Sequence, residues 1–340
     1  MPTETAAGHL LVFIFWHGNE LALRPPRHSC AGPGGSSRWT FCMHWITASL
    51  IAAFFLGCYE LFTKLAVRDN AVLPVLFFST LCNATIWIAL MSLDAARPAL
   101  LPTALQVAPL TALQHGQLAL KSVIVAASWI CTYFAVKHLP MSLASPVRAT
   151  GPIWILFGGL LLLAERPTWL EMAGVGTTIA SFVGLSFAGR QEGIHFHRNK
   201  WIFLLVGGTL LGAVSALYDR FLLGRVGYTA ATVQAWFSVY LAVFFLPIFI
   251  GWKLRWWPRN VFHWRWSIIF LALALLVSDF VYFGALRQPG ALITLVSSLR
   301  RGSTLVAFSG SLLFFGEKNG RQKLPAVLGV LAGIVMTVMG

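Results

Sequence analysis

Two arginine–glutamate pairs recur at the same spacing in otherwise apolar sequence. Arg148 is followed by Glu165 and Arg300 by Glu317, each 17 residues later, with Gly158 and Gly310 between them at matching positions. Seventeen residues of helix span roughly 25 Å. A glutamate near one membrane face therefore places its arginine towards the far side of the same span. A guanidinium inside a span costs a few kcal/mol or more, so an intramembrane arginine points to a functional site. Its planar fork can grip a carboxylate or phosphate with two hydrogen bonds. Internal pairing with Glu60, Asp219 or Asp279, or a role in gating, competes with substrate binding for the same groups. Arg300 and Arg301 are adjacent, so they point about 100° apart on a helix. Arg300 is the one with a counterpart in the first half. Tyr59, Tyr218 and Tyr282 can line a path between the halves, although aromatics in spans more often pack.

Composition sets the class. The chain has 340 residues, 57% of them hydrophobic and 11% charged, with a mean hydropathy of +0.74; soluble domains carry about 25% charged residues. The expectation is an all-α membrane protein, because lipid offers no partners to free backbone groups. The net charge of +14 is dispersed between apolar runs, which fits anionic headgroups better than nucleic acid. The 14 tryptophans suit interfacial belts, and Trp256, Trp257, Trp264 and Trp266 crowd one boundary. The five cysteines form no CxxC. No metal site, cofactor, nucleotide-binding loop or catalytic motif is expected.

Ten spans can be placed, at about 45–67, 72–93, 118–137, 141–164, 169–189, 201–223, 229–251, 266–286, 290–315 and 324–340. Residues 1–42 read as a disordered or mis-annotated tail, 43–190 as a first five-helix unit, 191–200 as a polar linker and 201–340 as a second unit. Tyr59 and Glu60 match Tyr218 and Asp219, and Tyr133 matches Tyr282, at offsets between 149 and 159. An odd number of spans per unit turns the second unit over, giving two inverted five-helix repeats with the substrate site between them. Lys and Arg counts in the loops weakly favour an outside N-terminus.

The helix endings Leu160-Leu-Leu-Leu-Ala-Glu165 and Leu312-Leu-Phe-Phe-Gly-Glu317, each followed by a glycine-bearing fifth helix, resemble the EamA family of the drug/metabolite transporter superfamily. The resemblance covers residues 43–340. It implies a ten-helix transporter with both termini cytoplasmic and leaves the substrate open. Arg148 on the fourth span and Arg300 with Arg301 on the ninth also resemble the cationic positions by which sugar-phosphate translocators hold phosphate.

Together these point to a multi-pass secondary transporter of the bacterial inner membrane, carrying a small organic anion or zwitterion by alternating access. Glu60, Asp219 and Asp279 are its protonatable groups. Efflux of cationic drugs and a non-transporting scaffold are the alternatives. The expected partners are a small-molecule substrate, membrane lipids and a possible second copy in a homodimer, with no nucleic acid.

Overall fold

The structure, a computed structural model, describes residues 37–97, 100–138, 150–187, 200–256, 261–303, 306 and 320–339. Among these residues the regular structure is entirely helical. The α-helices whose ends lie among them are α1 (Ser37–Val67), α2 (Val72–Ala96), α3 (Ala112–His138), α4 (Gly151–Leu162), α5 (Trp169–Phe187), α6 (Lys200–Arg220), α7 (Ala230–Lys253), α8 (Ser267–Arg287), α9 (Ile293–Arg300) and α10 (Gly320–Met339). Among the described residues, six stretches, in α1, α2, α3, α6, α7 and α8, are long and apolar enough to cross a membrane. Helix α1 starts at Ser37, so the last six residues of the expected tail are helical.

Local sequence sets several helix starts. At α5, the Thr168 N–H donates to Glu171 Oε2 (2.5 Å) while the Glu171 N–H donates to Thr168 Oγ1 (3.2 Å). This reciprocal capping box satisfies donors that the helix leaves unpaired. At α7, Thr229 Oγ1 accepts from the Thr232 N–H. Helix α6 widens into a π-helical turn over Phe221–Val226 and ends at Gly227, whose φ of 84° suits a residue without Cβ.

Helix α1 packs on α8, and α3 on α6; α4 packs on α6, and α9 on α1; α3 meets α7, and α8 meets α2. Helices α2 and α7, α4 and α9, and α5 and α10 form further main contacts. Moving every helix number on by five, counted in a circle, carries these nine pairs onto one another; α7 also packs on α8, a contact without a counterpart of similar extent under that shift among the described residues. Two serines repeat this relation in detail. Ser128 of α3 donates to Gly208 O of α6 (2.7 Å), and Ser278 of α8 donates to Ala52 O of α1 (2.8 Å).

The connections gather at two ends. Between α1 and α2, Asn70 exchanges hydrogen bonds with the His263 backbone, and Arg265 donates to Leu65 O and Arg68 O. Helix α2 has 25 residues, roughly 37 Å of length. Beyond its far end, the Ala108 N–H donates to Thr232 Oγ1 at the start of α7 (3.0 Å). The α6–α7 connection therefore lies at the end opposite the α1–α2 connection.

Helices α5 and α10 meet through small residues. A Cβ on Gly174 would lie 2.7 Å from Gly333 O, and one on Gly333 would lie 2.2 Å from Thr178 Oγ1. Such contact needs glycine on both helices, the way small residues let helices approach closely.

Candidate functional site

Asp279 and Tyr282 sit three residues apart on α8, on one face. Arg300, the last residue of α9, donates from Nη2 to Asp279 Oδ1. Its guanidinium carbon lies 4.2 Å from the Tyr282 ring centroid, a geometry in which the ring quadrupole attracts the cation. The side edge of the fork is only half used, because Arg300 Nε has no hydrogen-bond partner. Beside this pair, Lys121 Nζ of α3 donates to Asp219 Oδ1 of α6. Lys121 is 2% exposed and lies 4.4 Å and 5.0 Å from the Phe237 and Phe283 ring centroids. Asp219 is within Coulombic reach of both Asp279 and Arg300, and Tyr282 of all three. Two acids and two bases thus form one internally neutralised cluster.

A small cavity opens against it among α2, α3, α7 and α8. Its polar lining is Ser79, Thr80 and Asn83 of α2, Gln234 and Ser238 of α7, and Asp279. The three hydroxyls donate to carbonyls of their own helices: Ser79 and Thr80 to Leu76 O, and Ser238 to Gln234 O. Their lone pairs are left for other donors. Asn83 Oδ1 and Gln234 Oε1 are buried without a partner, an arrangement that costs on the order of 1–3 kcal/mol per group unless something is bound.

Glu165 occupies a second, separate place. It follows Ala164, whose φ of 53° is left-handed and costs about 1–2 kcal/mol for a residue with a Cβ. The turn returns the Glu165 N–H to Gly159 O (3.0 Å). It also aims the carboxylate at the start of α9, where Oε1 accepts from the Ile293 N–H (2.7 Å) and Oε2 from the Thr294 N–H and hydroxyl (3.3 and 2.9 Å). Arg220 Nε stands 4.0 Å away, while its Nη1 donates to Leu286 O (2.5 Å). Burial lifts the Glu165 carboxyl above the usual carboxylate value, opposed by these hydrogen bonds and by the Arg220 charge. The residue joins the α4–α5 turn to the first turn of α9 and is buried in the protein.

Of the residues singled out in the sequence, the structure brings Asp219, Asp279, Tyr282 and Arg300 together. Arg301 lies against the start of α4, where a Cβ on Gly151 would fall 2.9 Å from its Nη2. Glu60 is half-buried on α1. The Tyr59 and Tyr133 hydroxyls meet at 2.9 Å, and Tyr218 donates to Gln117 O at 3.3 Å. Arg148, Gly310 and Glu317 lie outside the described residues. Lys121, Asn83 and Gln234 escaped the sequence reading. Lys121 carried a signal, as the lone charge in Leu118-Ala-Leu-Lys-Ser-Val-Ile-Val. No group of three or more His, Cys, Asp or Glu suited to a metal occurs among the described residues.

The apolar helices thus enclose a cluster of paired acids and bases. Residues 43–187 match the EamA-like transporter family. The EamA match agrees with the drug/metabolite transporter superfamily. No curated protein matches the chain in sequence. One solved structure, titled "Crystal structure of protein", superposes with a TM-score of 0.62 at 17% identity, over 86% of this chain and 98% of that one. That coverage extends well past residue 187, so the fold is shared beyond the EamA-matched part.

Proposed function

We propose that this EamA-like protein is a secondary transporter of the bacterial inner membrane. It moves a small organic anion or zwitterion by alternating access between two inverted five-helix repeats. The observation that carries the reading is Arg300, placed inside the bundle with its charge balanced by Asp279 and its Nε unpartnered. Breaking a buried pair costs about 3–5 kcal/mol, so a binding site is a physical reason to keep one.

Nine helix contacts that map onto one another when every helix number moves on by five support the repeats. So do the repeat-matched connections after α1 and after α6, which lie at opposite ends of the bundle. Trp256, Trp264 and Trp266 are exposed at the α1–α2 end, as an interfacial lipid contact requires. No nucleotide motif is present in the sequence, so a proton gradient or exchange supplies the energy.

Two experiments test the proposal. Single cysteines replacing the exposed Arg68 and Arg225 should label from opposite membrane faces; labelling from one face sinks the inversion. In liposomes, Arg300→Ala should abolish uptake of anionic and zwitterionic substrates, and Arg300→Lys should impair it more than it impairs folding. Normal uptake by Arg300→Ala refutes the site and favours cation efflux.

A further inference from the structure

Binding at the Arg300–Asp279 pair has a charge constraint. A carboxylate that takes Arg300 leaves Asp279 without its cation, since Lys121 is already held by Asp219. An amine that takes Asp279 leaves Arg300 without its anion. Either outcome exposes an uncompensated charge in a poorly hydrated place, which is costly. A molecule carrying both charges satisfies both partners at once.

The surroundings have the same polarity. On the Arg300 side, the Nε–Nη2 edge is built for two parallel bonds to a carboxylate and now makes one. On the Asp279 side, the cavity offers hydroxyl lone pairs from Ser79, Thr80 and Ser238, together with the unpartnered carbonyl oxygens of Asn83 and Gln234. Asn83 and Gln234 are 6% and 1% exposed. A primary ammonium brings three donors in a compact head and suits such a set of acceptors.

We propose that the α2–α7–α8 cavity is an ammonium subsite, and that the substrate is a zwitterion inserted between Asp279 and Arg300. Its ammonium sits on Asp279 with Asn83 and Gln234, and its carboxylate replaces Asp279 on the guanidinium. The internal ion pair is then the empty-state stand-in for the substrate's own two charges. This inference rests on the transporter reading above and narrows its substrate class.

The test uses the purified full chain and the twenty protein amino acids as probes. Binding is followed by thermal shift and by equilibrium titration. Each binder is compared with its des-amino carboxylic acid and its decarboxylated amine. At least one amino acid should bind at least tenfold tighter than either analogue. Asn83→Leu and Gln234→Leu should each lower that affinity about tenfold while leaving the acid's affinity unchanged. An acid binding as tightly as its amino acid overturns the ammonium subsite and leaves anion transport standing. An amine binding as tightly overturns both this inference and the anion reading. Binding by none of the amino acids overturns the zwitterion proposal. The comparison of ligands on the unaltered protein needs neither variant to fold.

Discussion

The α3–α6 and α8–α1 seams occupy equivalent places in the bundle, yet their chemistry differs. Each is tied by a serine hydroxyl of one helix to a backbone carbonyl across the seam, Ser128 of α3 to Gly208 and Ser278 of α8 to Ala52. Here the likeness ends. The α3–α6 seam holds the buried Lys121–Asp219 pair. At the α8–α1 seam, Asp279 of α8 turns to Arg300 of α9. The tyrosines diverge too. Tyr59 and Tyr133 bond to each other, whereas their repeat counterparts part company, Tyr218 going to Gln117 O and Tyr282 lying under Arg300. Small neutral donors follow the symmetry of the frame; charges break it. A site between symmetric halves that must hold two unlike ends of one molecule needs that break.

The largest expected effect comes from removing charge at the α3–α6 seam. Lys121→Ala leaves Asp219 buried and uncompensated, so stability should fall by about 3–5 kcal/mol. Adding Asp219→Leu should recover most of the loss without recovering transport. Denaturation of the single and double variants in detergent checks this. If Lys121→Ala costs no more than a surface substitution, the two seams do not differ in the way the geometry implies.

Next comes the join between the halves. Glu165→Ala removes the acceptor for two amides at the start of α9 and should cost about 2–3 kcal/mol, as unsatisfied buried donors do. Glu165→Gln keeps one acceptor oxygen but turns an amide NH2 towards a donor, so it should fall between the unaltered protein and Glu165→Ala. An order in which the glutamine variant is the less stable one would show that the cap is not the residue's main role.

The sequence made much of this frame readable, through a simple physical signal. A span must run for about twenty apolar residues, so spans expected at 72–93, 229–251 and 266–286 appear as Val72–Ala96, Ala230–Lys253 and Ser267–Arg287. The glycines of α5 and α10 were legible because close helix approach leaves few residue choices. The cavity was less so. The sequence suggested a site between the two repeats without determining the helices that line it; the cavity lies among α2, α3, α7 and α8. Which faces of long apolar helices meet is set by tertiary packing, and the weak periodicity of such helices does not encode it. Matching one repeat to the other also drew the eye to shared residues. Lys121, Asn83 and Gln234 were not among the matched residues; Lys121 sets the α3–α6 seam apart, and Asn83 and Gln234 line the cavity.

The smallest effect sharpens the comparison most directly. Ser128→Ala and Ser278→Ala each delete one hydrogen bond between helices, at the two equivalent places. The carbonyls they leave, Gly208 O and Ala52 O, lie in helix interiors and remain available to their own helices, so neither becomes an orphan. Interhelical bonds of this kind in membrane proteins average about 0.6 kcal/mol, and the two losses should be small and similar. Thermal unfolding of both variants beside Lys121→Ala measures this. Similar small losses for the serines with a large one for Lys121 mean that the halves share a scaffold and differ in charge. If Ser128→Ala proves several-fold worse than Ser278→Ala, the α3–α6 seam is the tighter one throughout, and the asymmetry belongs to the frame rather than to the charges placed on it.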